Sequence, residues 1–553
     1  MRRTLGLVFS LIFGQVLVEP NCSGQAGPPR SRAETSDYVE TSRYDEVIAF
    51  IAGLQRSSPL PRVEVFGRSN EGRDLPLLIL ADPPISSPAE AKASGKPVVF
   101  LMANIHAGEV EGKEAALHLA RRVAVGDGRP LLDRMILLIA PIYNADGNES
   151  VRPENRREQN GPDAGVGTRE NAQGLDLNRD FIKAESPEAR ALIGLLRRWD
   201  PHLTVDLHTT NGSHHGYHLT YSIPLNPSGD PRLVAYQRER MMPAVRRGLA
   251  DRRGFRSYYY GNFSDDEPAP GQPAARHWRA FTHQPRIGQN YVGLRNRMAI
   301  LSEAYSYLDF RGRVAVTSAF LDEILAHVAA DAFEIVKLTR EADADAVRLG
   351  LAGTSRPLGV EYTMVSLPDP VEILVGEVTK RTNPRTGFAM TAMVEDRFTP
   401  VKMLDYGTFA ATRSVPLPPA YLFRDEPGLR PVRDLLLLHG VSVEALAAPA
   451  DLEVESFAIG AVRRNERPFQ GHREVKLSGQ SRPERVAYPA GSYLVRSSQP
   501  LAGLAAYLLD PESDDGVVTW NLVDAYLAPG KVAPISRLAK AGNWPTRLVG
   551  RPE

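Results

Sequence analysis

Val98-Val99-Phe100-Leu101-Met102-Ala103-Asn104-Ile105-His106-Ala107-Gly108-Glu109 joins a short, unbroken apolar run to a polar turn that carries a histidine and a glutamate three residues apart. An apolar run of this length without alternation suits a strand buried on both faces of a mostly parallel sheet. A His and a Glu at this spacing can face one cation where the strand gives way to a helix. Three further runs have the same character: Met135 to Ala140, Leu203 to Leu207 and Met298 to Leu301. Helical stretches such as Gly112 to Val123 and Glu188 to Trp199 separate them, which is the alternation of an α/β fold. The runs lead into Asn144-Ala145-Asp146-Gly147, His208 and Glu303 respectively. Ligands of such sheets bind at the carboxyl ends of the strands, so His106, Glu109, His208 and Glu303 are expected in one cleft.

Upstream, Tyr44, Val47, Ile48, Ile51 and Leu54 fall at helical spacing, with Ser42-x-x-Asp45 as the expected helix start. Gly67-Arg68-Ser69-Asn70-Glu71-Gly72-Arg73 reads as a turn between two short strands, the second being Leu75 to Leu80. At the start of the chain, Arg2 and Arg3 precede an apolar stretch from Leu5 to Val18, and Gly24-Gln25-Ala26 offers small residues for cleavage. Residues 1–26 are therefore read as a signal peptide and the protein as exported, periplasmic or secreted. The only cysteine, Cys22, falls inside this segment. A chain cleaved after Ala26 has no thiol, which excludes disulfides, a cysteine nucleophile and thiolate metal ligands. The apolar stretch is short for a membrane span, and none is expected in the mature chain. The 553 residues contain 66 basic and 66 acidic side chains, so nothing in the bulk charge suggests a nucleic-acid partner.

Downstream, Val314 to about Leu349 reads as helical, after which Pro-rich punctuation such as Val415-Pro416-Leu417-Pro418-Pro419 alternates with short strand-like runs, including Val371 to Val375 and Ser492 to Val495. A boundary is placed near residue 350, giving a catalytic unit over 37–349 and a β-rich or α/β accessory region over 350–553. His214, His215 and His218, in a polar loop after His208, are read as facing substrate or solvent, and Asp510 to Gly516 as a solvated turn.

The order H-x-x-E, an Arg-rich loop, Gly174-Leu175-Asp176-Leu177-Asn178-Arg179-Asp180-Phe181, a strand-end His and a strand-end Glu resembles the zinc carboxypeptidase family typified by carboxypeptidases A and B. Gly67 to Arg73 looks like an early segment of the same family. The resemblance covers about residues 40 to 330 and implies a three-layer α/β/α unit with a mixed eight-stranded sheet. It also implies one zinc ion held by His106, Glu109 and His208, with Asp176 orienting the first histidine. Asn178 and Arg179 match residues that hold a substrate's terminal carboxylate, a role the planar guanidinium fork suits.

Glu303 matches the general base, which takes a proton from water and passes it to the leaving amine. Arg156 and Arg157 are the candidates for stabilising the oxyanion, Arg157 slightly favoured. Tyr291 is the best candidate for the phenol that caps substrate. The expected activity is removal of one C-terminal amino acid per turnover from a peptide with a free carboxylate. A zinc amidase or deacylase acting on N-acyl amino acids or cell-wall peptides could use the same metal set. A non-catalytic peptide-binding protein on a peptidase scaffold is opposed by the retention of Glu303 beside all three ligands.

Overall fold

The structure, a computed structural model, describes residues 27–210, 212–265, 276–352 and 357–550. The signal peptide read at 1–26 lies outside the described residues. Among the described residues, ten strands occupy the first part of the chain: β1 (Arg62–Arg68), β2 (Asp74–Leu80), β3 (Val98–Ala103), β4 (Ile136–Ala140), β5 (Leu203–Thr210), β6 (Leu219–Ser222), β7 (Ser257–Tyr259), β8 (Asn262–Asp265), β9 (Arg276–Arg279) and β10 (Met298–Tyr305). Eight of them make one mixed sheet in the order β1-β2-β4-β3-β5-β10-β6-β7. At its centre β4, β3, β5 and β10 run parallel, while β1 and β2 are antiparallel additions at one edge. Every residue of β3, β4 and β5 is buried, as unbroken apolar runs require.

Helices cover both faces of this sheet. The helix Glu111–Val125 lies against Leu207 of β5, so close that a Cβ on Gly112 would sit 2.5 Å from the Leu207 Cβ. Side chains alternate along a strand, so Thr204 and Asp206 point the other way. There they meet Phe181 and residues of the helices Pro187–Trp199 and Gly288–Leu294, including Leu192, Leu196 and Val292. His208 shares the parity of Asp206 and so emerges on that second face. Among the described residues, no helix is long and apolar enough to cross a membrane.

Two local readings change. The first long helix spans Tyr44–Ser57 with Arg43 as its N-cap, and the Glu46 carboxylate accepts from the Arg43 backbone at 2.8 Å. Ser42 is drawn off instead by buried Glu114, to which its backbone N–H and hydroxyl donate at 2.7 and 3.0 Å. The Asp510–Gly516 segment is not a solvated turn: Asp510 is ion-paired with Arg537 at 2.7 Å, and buried Asp515 with Arg286 at 2.8 Å.

Beyond the helix Ala332–Ala352 come β11 (Pro357–Val365), β12 (Val371–Thr382), β13 (Ala389–Tyr406) and β14 (Thr408–Pro416). A seven-stranded sheet follows, built from segments between Ala420 and Gly550. The region after 350 does not stand apart from what precedes it. β13 runs parallel to β9, pairing Leu404 with His277, which makes a four-stranded sheet in the order β12-β13-β9-β8.

Candidate metal centre and catalytic cleft

The turn after β3 presents His106 and Glu109, β5 presents His208, and one ligand atom from each lies within 4.8 Å of the other two. All three side chains are buried. The Glu109 carboxylate lies between the rings, with Oε1 3.0 Å from His106 Nδ1 and Oε2 2.8 Å from His208 Nδ1. Each ring is held from behind by its other nitrogen: His106 Nε2 is 3.0 Å from Asp176 Oδ1, and His208 Nε2 is 2.8 Å from Asp206 Oδ2. A ring that gives its Nε2 proton to a carboxylate turns the Nδ1 lone pair inward, the preparation a metal-binding imidazole needs. Two imidazole nitrogens and one carboxylate are a donor set that suits zinc, so the residues fit the ion the family implies.

Asp206 was not among the expected site residues. Its signal lies in the strand itself, because two residues before a strand-end histidine is the same face of β5. Asp176 is the N-cap of the short turn Leu177–Arg179. Its Oδ1 also accepts from the Asn178 N–H at 2.9 Å, and its Oδ2 accepts from Arg169 Nη2 at 2.7 Å. Burial would raise the Asp176 pKa, but His106 and Arg169 outweigh it and keep the group ionised. Burial likewise works against Glu109, while Arg156, His106 and His208 together hold it well below the usual carboxylate range.

Glu303 stands on β10 in direct register with His208 of β5, and parallel neighbours in register project side chains to the same face. Its Oε2 is buried without a hydrogen-bond partner, and burial pushes its pKa up to about 8. Asn178 and Arg179 line the same cleft, about 120 Å³ in volume, with Arg156, Arg169, Tyr260 and Glu303. The Asn178 side chain is fixed by the Gly288 N–H, which donates to Oδ1 at 2.9 Å. Among the described residues no carboxylate lies within ion-pair distance of Arg179, whose Nη1 donates to the Asn178 carbonyl at 2.8 Å.

The two adjacent arginines part company. Arg156 has a left-handed backbone, φ 49°, and its guanidinium enters the cleft and bonds Glu109. Gly108 makes room for it, since a Cβ there would lie 2.7 Å from Arg156 Cδ and 2.8 Å from its Nε. Arg157, the slightly favoured candidate, instead lies over the Phe388 ring at 4.1 Å. The partner that captures it comes from a part of the chain 231 residues away, too distant to read locally.

Tyr291 is corrected as well. It is fully buried on the helix Gly288–Leu294, where its hydroxyl meets His439 Nδ1 at 2.7 Å and receives Arg295 Nη1 at 3.2 Å. The phenol that reaches the cleft belongs to Tyr260, its ring 5.0 Å from Phe281, and burial pushes it up to about 12, so it remains a donor. The other histidines stand outside the metal centre. His215 is buried against Tyr305 at 4.1 Å, and His218 Nδ1 accepts from the Arg256 N–H at 2.9 Å. His214 is the exposed one of the three, with Tyr307 at 5.7 Å.

Buried neutral histidines bring an acid-sensitive element. Burial drives both His439 and His215 down to about 3 from an ordinary value of 6.5. Below that ordinary value the unfolded chain takes up protons that the folded chain refuses. Stability is therefore full above about pH 6.5 and is lost as pH falls toward about 3, by up to about 1.4 kcal/mol per pH unit for each ring. Urea unfolding at pH 7.5 and 5.0 should give a lower midpoint at pH 5.0, and His439→Asn should shrink the difference between the two. A midpoint independent of pH over this window would contradict the assignment.

Comparison with known proteins places the front of the chain. Residues 47–286 match the family model described as Zinc carboxypeptidase. The chain is similar to Carboxypeptidase 2 of Trichophyton equinum, 23% identical over 566 residues, covering 96% of this chain and 92% of that protein. It is also similar to human Carboxypeptidase D, 31% identical over 199 residues, 31% of this chain and 14% of that one. A crystal structure of a metallo-carboxypeptidase from Burkholderia cenocepacia aligns with 52% of this chain and 70% of its own, at 20% identity and a TM-score of 0.39. Residues 47–286 thus form a domain of the zinc carboxypeptidase family, and the chain that carries it is a metallopeptidase.

Proposed function

We propose that this protein is a zinc-dependent exopeptidase that removes the C-terminal residue of peptides. The observation that carries the reading is the meeting in one cleft of three parts: the His106, Glu109, His208 donor set, the Glu303 carboxylate in register with His208, and the Arg179 guanidinium without a carboxylate of its own. His106, Glu109 and His208 would hold zinc, which when bound supplies a Lewis acid for the scissile carbonyl and makes water more acidic. Asp176 and Asp206 keep the two imidazoles aimed inward. Arg179 grips the substrate's terminal carboxylate, with Asn178 alongside it, and this fixes which peptide bond enters the centre. Glu303 takes a proton from the attacking water at its unpartnered Oε2 and returns it to the leaving amine. Arg156, and not Arg157, is the cation placed to stabilise the oxyanion. Tyr260 offers a phenol donor in the lining of the cleft.

The test is a paired digestion. A peptide with a free carboxylate should lose its last residue, its amidated twin should be cleaved at least tenfold more slowly, and chelation should abolish both reactions until zinc is restored. Equal cleavage of the twins would overturn the exopeptidase reading and favour an amidase or deacylase.

A further inference from the structure

We propose that a cavity at the opposite pole of the central sheet binds a small organic polyanion carrying two or more phosphate or carboxylate groups. The cavity measures about 430 Å³, against about 120 Å³ for the catalytic cleft. That is within the size range of small-molecule sites. Val98 opens β3, while His202 and Arg297 immediately precede β5 and β10, and all three line it. It therefore sits at the amino ends of the strands whose carboxyl ends lead to His106, His208 and Glu303. At a rise of about 3.3 Å per residue, the two sites stand roughly 20 Å apart.

The walls are strongly one-signed. Lys92, Lys96, Arg197, Arg198, Arg297 and Arg340 line the cavity, against only two acids, Asp200 and Asp343. Both acids are engaged by the same cation, Arg297, at 2.6 and 2.8 Å. Arg198 is offset by Glu64, and Lys96 donates to the carbonyls of Asp82 and Leu132 at 2.9 and 2.7 Å. For Lys92 and Arg340 no carboxylate lies within ion-pair distance among the described residues. Arg197 donates one Nη1 bond to the Leu437 carbonyl, and its buried Nε has no partner.

His202 adds a further donor. Its Nδ1 accepts from the Val98 N–H at 3.1 Å, and burial brings its pKa down to about 4. The ring is then neutral, with its proton on Nε2. Donors of one kind gathered around a common void repel one another, and a multivalent oxyanion offsets that repulsion while using both guanidinium forks and lysine point charges. The whole chain has a formal net charge of zero, so this charge is a local accumulation.

Titration calorimetry on the full chain, with pyrophosphate and citrate as probes at fixed ionic strength in chloride, tests the site. Saturable binding near one per chain is expected for at least one probe, and the tighter one names the preferred group. Lys92→Ala with Arg340→Ala, both exposed positions, should weaken binding at least tenfold and leave peptidase kcat/KM and the anion-free Tm unchanged. Arg179→Ala, which removes a cation of the catalytic cleft, should leave the affinity as it was. Absence of saturable binding by either probe overturns the proposal. Binding that survives the double variant and disappears with Arg179→Ala also overturns it, because the anion would then be seated in the catalytic cleft.

Discussion

Replacing Glu303 by glutamine is expected to lower kcat by about 10²- to 10⁴-fold, the range that general acid–base groups contribute. Zinc content should stay near one ion per chain, since Glu303 is not one of the three converging donors. Glutamine keeps the shape of the side chain and its place opposite His208 on the neighbouring strand, so the substitution removes the proton-accepting oxygen and little else. The effect is expected to be large because nothing stands ready to replace that oxygen: Oε2 is buried and unpartnered. Burial also raises the pKa of Glu303 to about 8, close to where a group must lie to take up and return a proton near neutrality. Single-turnover rates with metal analysis of both proteins make the check, and turnover within tenfold of the parent would remove Glu303 from the mechanism.

Arg179→Ala carries the second large effect. The kcat/KM for a peptide ending in a free carboxylate should fall by about 30-fold to several thousand-fold, the 2–5 kcal/mol cost of deleting one partner of a buried charge pair. The slow cleavage of the amidated twin should hardly change. Burial lowers the pKa of Arg179, and the neighbouring Asp176 only partly restores it. On the proposed function, its main counter-charge comes with the substrate. Arg179→Lys should recover only part of the loss, because an ammonium cannot grip both carboxylate oxygens in one plane. Equal losses on both peptides would mean that Arg179 holds the cleft together and does not read the carboxylate.

The central strands were legible because burial on both faces leaves a plain mark: the apolar runs at 98–102, 135–140, 203–207 and 298–301 correspond to β3, β4, β5 and β10. The helices of the region from Val314 to Leu349 were legible as helix but not as two, Phe310–Ala330 and Ala332–Ala352. What escaped was whatever depends on a distant partner. Arg156 and Arg157 are adjacent and chemically identical, and only the ring of Phe388 and the gap at Gly108 separate their fates. Tyr291 and Tyr260 both precede Glu303 in the chain, yet His439 draws Tyr291 inward. Asp206 was readable in principle, since strand parity alone puts it behind His208. The acids at 510 and 515 look hydrophilic in one dimension and are buried because Arg537 and Arg286 meet them.

The backbone N–H of Asp176 donates to the side chain of Gln470 at 2.9 Å, across 294 residues of chain. Gln470 itself has a left-handed backbone, φ 51°, at the tip of a turn in which Phe469 and His472 exchange backbone bonds. His472 and Glu474 of the same turn reach Glu185 and Arg286 at 2.7 and 2.6 Å. The match to the family model ends at residue 286, but groups that touch its site come from beyond residue 460. For anyone cutting, grafting or recombining this chain, the matched domain and the set of residues that contact its site therefore differ in length. A piece trimmed at residue 350 would keep His106, Glu109, His208 and Glu303 while losing the Gln470 bond to Asp176, the residue whose carboxylate touches His106.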